Sequence, residues 1–260
     1  MTDTLERNSE SEVGKVYLVG SGPGDPDLLT VKARRLLEEA DVVLHDKLPG
    51  PEILGMIPEA KREDVGKRAG GEWTPQEYTN KRLVELAHEG NTVVRLKGGD
   101  PTVFGRGGEE MVVLANNEIP FEIVPGITSA IAGAEAAGIP VTHRDFVSSV
   151  SFVTGHEDPT KDESAIDWEA LANTGGTIVV LMGVGKLPAY TGELMKYGMD
   201  PETPVALVER ATWPDQRVAT GTLDTIVDVR DKMDIEPPAI TVIGGVAGQR
   251  EKVVEFLEGA

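Results

Sequence analysis

The sequence predicts an α/β chain made of two domains in series. Short apolar stretches of strand length alternate with longer amphipathic stretches of helix length, which implies largely parallel sheets. The chain has 260 residues, a length that suits one large domain or two of roughly 120. VPGITSA (124–130) interrupts the alternation midway and marks the join.

In the first half, GKVYLVG (14–20) is an apolar strand and DLLTVKARRLLEEA (27–40) an amphipathic helix. DVVLHD (41–46) is a second strand. TPQEYTNKRLVELAHEG (74–90) is a helix with Thr74 as N-cap, Pro75 at its first position and Gly90 at its end. NTVVRL (91–96) is a short buried strand, residues 107–117 form a helix, and FEIVPG (121–126) closes the half. In the second half, residues 127–137 are helical and 148–154 form a strand. TIVVLMG (177–183) is a buried strand and KLPAYTGELMKYG (186–198) a helix. PVALVER (204–210) and PAITVIGG (238–245) are strands, and RVATGTL (217–223) is a hairpin arm. The expected domains are 14–124 and 131–260, linked by 125–130. Residues 1–13, polar and acidic, are expected to be a disordered lead.

Composition excludes several classes of function. There are no cysteines, which removes disulfides, thiolate nucleophiles and Cys-ligated metals, and fits a cytoplasmic protein. The four histidines lie in no carboxylate cluster of metal-ligand spacing, so no metal site is expected. A net charge of −19 repels a phosphate backbone and argues against nucleic acid. The same charge suggests a halophilic source, where salt screens self-repulsion. No apolar run reaches the roughly 20 residues that span a bilayer, and no secretory signal is visible at the amino terminus. An anionic ligand would need a local basic pocket.

KGGDPTVFGRGGEE (97–110) concentrates five glycines and five charged residues in fourteen positions, directly after a predicted strand. Glycine lets the backbone approach a ligand closely, and open α/β sheets bind ligands at the carboxyl ends of their strands. GSGPGD (20–25) follows the first strand and looks at first like a dinucleotide loop. The third glycine of G-x-G-x-x-G would fall at Asp25, and Pro23 removes a backbone donor. A tight turn capping the next helix explains the same residues.

These blocks, with VYLVGSGPGDPDLLTVKA (16–33), VVLHDKL (42–48), VGKRAG (65–70), VPGITSA (124–130), GIPVTHRD (138–145), FVTGH (152–156), LMG (181–183) and LVERAT (207–212), resemble the tetrapyrrole methylase superfamily in order and over nearly all of residues 14–247. They look most like its branch acting on uroporphyrinogen III. The resemblance implies two α/β domains of the tetrapyrrole methylase type, an active site in the cleft between them, and a homodimer. It implies S-adenosylmethionine as methyl donor, leaving as S-adenosylhomocysteine. Carried over, the cofactor residues are Pro23, Gly98, Gly99, Asp100, Val103, Thr128, Ser129, Met182 and Ala211. Asp46 matches a proton acceptor, Lys67 a proton donor, and Arg106 a third catalytic group. Lys47, Arg106, Glu109, Arg144 and Met182 match substrate-pocket positions. With Lys67 and Arg68, the cations among these would meet the eight carboxylates of the substrate.

Without the resemblance, plainer readings stand. Asp46 is a loop cap, Lys67 a solvated charge, Met182 a core filler, and Thr128 or Ser129 a helix N-cap. Arg106–Glu109 is then a surface helix pair. Lys47 stands where the family usually has Arg, which keeps the charge and loses the fork. The implied reaction is methylation of uroporphyrinogen III at carbons 2 and 7 to precorrin-2, on the way to cobalamin or sirohaem. Other tetrapyrrole, diphthine or ribosomal-RNA methylases of the same fold, a nicotinamide oxidoreductase and a non-catalytic tetrapyrrole carrier are the rivals. A two-function sirohaem synthase would need a further dehydrogenase–chelatase domain, for which 260 residues leave no room.

Overall fold

The computed structural model describes residues 13–66, 75–156 and 165–257. The lead expected at 1–13, apart from Val13, and the cap expected at Thr74 lie outside these. The chain divides into two compact units, one of residues 1–22 and 26–126, the other of 23–25 and 127–260.

The first unit runs β1 (Val16–Gly20), α1 (Val31–Glu39), β2 (Val42–His45), α2 (Gly50–Gly55), β3 (Arg62–Asp64), α3 (Gln76–His88), β4 (Val93–Lys97), α4 (Gly107–Asn116) and β5 (Phe121–Val124). Its five strands are all parallel, in the order β3-β2-β4-β1-β5. Parallel strands are covered on both faces, so they carry continuous apolar runs such as Tyr17–Val19 and Val42–Leu44. On one face Val19, Val43, Val94 and Leu96 pack with Ala33, Leu36 and Leu37 of α1 and Ile53 of α2. On the other, Leu18, Leu44 and Val93 pack with Leu83 and Leu86 of α3 and Leu114 of α4. Each fully buried leucine contributes about 1.5–3 kcal/mol relative to exposure.

Helix α1 starts at Val31 rather than Asp27. Thr30 is extended (φ −64°, ψ 146°), and its hydroxyl accepts from the Ala33 amide at 3.1 Å. Residues Pro26–Leu28 form a separate 3₁₀ turn. Helix α3 starts at Gln76, with Pro75 extended as its cap rather than its first helical residue.

The second unit runs α5 (Ser129–Ala136), β6 (Val150–Thr154), α6 (Trp168–Thr174), β7 (Thr177–Leu181), α7 (Leu187–Lys196), β8 (Pro204–Glu209), β9 (Arg217–Thr222), α8 (Ile226–Met233), β10 (Ala239–Ile243) and α9 (Arg250–Leu257). Its sheet has the order β6-β7-β10-β8-β9. Here the expectation of a largely parallel sheet fails. Only β6–β7 is parallel, because β8 turns straight back into β9, and β10 inserts antiparallel between β7 and β8. Ala130 and Ala134 of α5 pack on Val179, Val208 and Val242. Leu187 and Leu194 of α7 and Ile226 of α8 pack on the opposite face, against Ile178, Leu207 and Ile243.

In the first unit the segments after β1, β4 and β5 touch backbone to backbone. A Cβ at Gly126 would stand 2.2 Å from the Gly99 carbonyl oxygen, and one at Gly20 2.5 Å from the same atom. Gly126→Ala is therefore expected to cost about 2 kcal/mol, a fall in Tm of about 4–8 °C. Gly192→Ala, in α7 with nothing within 4 Å of the added carbon, should raise stability by about 0.5–1 kcal/mol. Thermal unfolding of the two variants beside wild type checks both signs.

Candidate active site

The carboxyl ends of the first unit's parallel strands release the segments that carry most of the expected site residues. After β4 the chain makes the turn Gly98–Arg106. Gly99 has φ +67° and pairs with Gly22, amide to carbonyl in both directions, at 2.8 and 3.1 Å. Several glycines of this stretch are thus required by the protein's own packing. A Cβ at Gly107 would meet the Pro101 carbonyl oxygen at 2.3 Å, and one at Gly98 would meet Leu48 Cβ at 2.6 Å.

Asp100 holds the turn. Its Oδ1 accepts from the Thr102 amide (2.8 Å), the Thr102 hydroxyl (2.7 Å) and the Val103 amide (3.2 Å). Its Oδ2 accepts from the Gly126 amide at 3.2 Å, leaving lone-pair capacity on that oxygen. Phe104 (φ 53°) and Arg106 (φ 59°) are both left-handed, a strained state for side chains of this size. Val103 between Asp100 and these residues is half-buried.

Arg106 is the N-cap of α4. A cation there opposes the helix dipole, and Glu109 offsets it with a two-pronged pair, Nε–Oε1 and Nη2–Oε2 both at 2.8 Å. The hydrogen bond from Arg106 holds the Glu109 carboxyl below its ordinary range, and the same bond raises Arg106. Both side chains remain more than half exposed, at 55% and 54%.

Asp46 follows β2. Its Oδ1 accepts from the Leu48 amide at 2.8 Å, and its Oδ2 lies 3.6 Å from Arg95 Nη2. The side chain is 23% exposed. Lys47, beside it, is exposed. Lys67 and Arg68 lie outside the described residues.

Sequence reasoning missed what lies under Asp46. Strand β4 is buried throughout, yet it carries Arg95 and Lys97. Residues two apart in a strand face the same side, here the side of α3 and α4. Glu110 of α4, with no exposure, meets both. Arg95 Nε donates to its Oε1 at 3.1 Å, and Lys97 Nζ stands 3.1 Å from Oε1 and 3.0 Å from Oε2. Gln76 Nε2 adds a bond to Oε1 at 3.0 Å. Burial, then the neighbouring Arg95 charge, lowers the Lys97 amine from its ordinary value, with Glu110 pulling the other way. The signal was present: two cations at i and i+2 inside the apolar run VVRLK.

In the second unit, Met182 directly follows β7 with φ 53° and is 52% exposed, so it is no core filler. Ala211 is buried between two left-handed residues, Arg210 (φ 45°) and Thr212 (φ 68°). Glu209, at the end of β8, anchors this turn. It is buried and takes Arg217 Nε at 2.5 Å, the Glu236 amide at 3.3 Å and Arg210 Nη2 at 3.3 Å. Burial pushes the Glu209 carboxyl up, but the Arg217 bond, the Glu236 amide and Arg210 outweigh it and hold the group low. Thr128 is the N-cap of α5, accepting from the Ala130 amide at 3.3 Å, and Ser129 opens the helix. The Pro23 carbonyl accepts from Trp213 Nε1 at 3.1 Å, a partner that sequence reasoning also missed. Arg144 is exposed in the loop between α5 and β6, where the His143 and Phe146 rings lie 4.9 Å apart. Among the described residues no group of three metal-ligating side chains forms, and no helix is long and apolar enough to cross a membrane.

A five-stranded parallel sheet followed by a mixed one, with strained loops at strand ends, makes a two-unit α/β protein. The chain belongs to the Tetrapyrrole (Corrin/Porphyrin) Methylases, whose family profile matches residues 15–227. It is 59% identical over 250 residues to an S-adenosyl-L-methionine-dependent uroporphyrinogen III methyltransferase of Methanosarcina barkeri, covering 94% of this chain and 98% of that one. It is 46% identical to a siroheme synthase of Nitrosomonas europaea, but spans only 54% of that protein's length. A solved structure of uroporphyrin-III C-methyltransferase from Thermus thermophilus, complexed with S-adenosylhomocysteine, superposes with a TM-score of 0.77 at 42% identity over 90% of this chain and 98% of that one.

Two variants test the electrostatics. Glu110→Gln leaves Arg95 and Lys97 buried without their counter-charge and should cost about 3–5 kcal/mol by denaturant unfolding; a loss under about 1 kcal/mol would contradict the burial of these charges. Glu209 has a folded pKa below its ordinary 4.5. Its contribution to stability is therefore complete above pH 4.5 and is lost as pH falls through the lower, folded value. Glu209→Gln should flatten the fall of Tm with acid below that pH, measured against wild type.

Proposed function

We propose that this protein transfers methyl groups from S-adenosylmethionine to carbons 2 and 7 of uroporphyrinogen III, giving precorrin-2. The observation that carries the reading is the near full-length match to the Methanosarcina barkeri enzyme named for that activity. The local chemistry supports it. Among the described residues no backbone amide donates to Asp46 Oδ2, and Arg106 presents an exposed guanidinium at the N-cap of α4.

The residues present fit S-adenosylmethionine. Gly98 is half-buried at the end of β4, Asp100 keeps an acceptor for hydroxyl or amino groups, and Met182 offers an exposed apolar side chain. When bound, the sulfonium supplies an already activated methyl group. The proposal draws the cofactor's partners from Pro23, Gly98, Gly99, Asp100, Val103, Thr128, Ser129, Met182 and Ala211. Of these, Asp100 and Thr128 also hold their own turns, so their side chains are pre-set before a ligand arrives.

The chain's main task is alignment, which can supply about 7–11 kcal/mol when the reacting atoms are held near contact. Asp46 accepts the pyrrole N–H proton, making the adjacent ring carbon a stronger nucleophile. Each transfer forms a C–C bond, breaks the S–CH3 bond and releases one ring proton; Lys67 is the proposed donor only in a tautomerisation that removes as many ring protons as it returns. Arg106 stays protonated. It pairs with a substrate carboxylate by sharing or exchanging Glu109, and Lys47, Arg144 and Met182 complete the substrate contacts. The acidic surface makes these local cations the attractive features for an anionic ring. We also read the protein as a homodimer, as its family resemblance implies, and as cytoplasmic and from a salt-rich cell, supported by the absence of cysteine and the charge of −19.

The test is anaerobic incubation with uroporphyrinogen III and methyl-labelled S-adenosylmethionine, at low and high salt. Two labelled methyls per macrocycle are expected, with Asp46→Asn and Arg106→Ala each slowing turnover by about 100-fold or more. Cofactor binding without transfer would move the substrate to a later precorrin. No cofactor binding at any salt would end the methyltransferase reading.

A further inference from the structure

The buried charges under Asp46 do more than link β4 to α4. Arg95 has its guanidinium fixed at three points. Nε donates to Glu110 at 3.1 Å, and Nη1 donates to the Leu96 carbonyl at 3.0 Å and approaches the Leu44 carbonyl at 3.5 Å. A guanidinium is planar, so pinning Nε and Nη1 fixes the direction of Nη2. Nη2 lies 3.6 Å from Asp46 Oδ2, an ion-pair distance longer than a hydrogen bond. The other oxygen, Oδ1, is already committed to the Leu48 amide. The two oxygens of Asp46 therefore differ. One is tied to backbone, and the other faces a fixed positive charge and keeps lone pairs for a proton.

The cluster also balances. Arg95 and Lys97 bring two positive charges, and Glu110 and Asp46 bring two negative ones. We propose that Arg95 is a positioning residue for methyl transfer: held by Glu110 and main-chain carbonyls, it orients Asp46 with Oδ2 turned to receive the pyrrole proton. The inference rests on the reading of Asp46 as proton acceptor. Nothing in the sequence motif around Asp46 assigns Arg95 this part, since the two are 49 positions apart (95 − 46).

The experiment is a double-mutant cycle on the full chain, read as single-turnover methyl transfer to uroporphyrinogen III, with S-adenosylhomocysteine affinity measured by calorimetry. Arg95→Met should slow transfer about 100-fold while leaving cofactor affinity within about twofold. Arg95→Lys, which keeps the charge and loses the fork, should recover about tenfold of that loss. In an Asp46→Asn background, Arg95→Met should cost less than about threefold, because its partner is already gone. Equal losses in both backgrounds, or an unchanged rate in Arg95→Met alone, would overturn the proposal. If Arg95→Met does not fold, the same cycle with Arg95→Lys decides it by the same criterion. Full activity in Asp46→Asn would instead remove the proton-acceptor reading, and the role of Arg95 with it.

Discussion

One carboxylate organises the first unit's functional end. Glu110 has no exposure and neutralises two cations that the central strand β4 carries into the core. Moving such charges out of water costs several kcal/mol each, repaid only when geometry and additional hydrogen bonds are good. Here the repayment comes from Gln76, the Leu96 carbonyl and Asp46 as well as from the ion pairs. Apolar residues would have made a cheaper core. The arrangement instead fixes α4 against β4, and α4 begins at Arg106. The position of the exposed Arg106–Glu109 pair thus depends on a contact buried one residue further along the same helix.

Strain is distributed in the same places as the expected site residues. Five left-handed residues that are not glycine, Phe104, Arg106, Met182, Arg210 and Thr212, flank or belong to those positions. Each such conformation costs of order 1–3 kcal/mol and persists only where its surroundings over-determine it. In the first unit the surroundings are the Asp100 turn and the backbone contacts among Gly20, Gly99 and Gly126. In the second they are the buried Glu209 and its arginines. Both units thus use a buried or turn-holding carboxylate to keep a strand-end loop in a conformation that an isolated peptide would leave.

Much of this was legible in the sequence, for identifiable reasons. Strands with continuous apolar runs, such as TIVVL and VYLVG, declared themselves because both of their faces are covered. The short β3 (RED) and helices α2, α6, α8 and α9 did not, since short polar elements carry little periodic signal. The antiparallel insertion of β10 was hidden because strand direction leaves no mark on composition. At the site, the Gly-rich loop pointed to the right place for a partly different reason. Its glycines serve close packing within the protein as well as access for a ligand. Arg95 was passed over because a cation in an apolar strand looks like noise until its partner, fifteen residues on (110 − 95), is brought beside it.

The account turns on the dryness of the Arg95–Lys97–Glu110 cluster, and the Lys97 amine reports on it directly. Its titration, followed by nitrogen NMR of the labelled side chain, should fall below the ordinary 10.5 in wild type. It should fall further in Glu110→Gln, where the attraction that favours the charged form is lost. A Lys97 amine titrating at or above 10.5 in wild type would show a solvated charge and contradict the account.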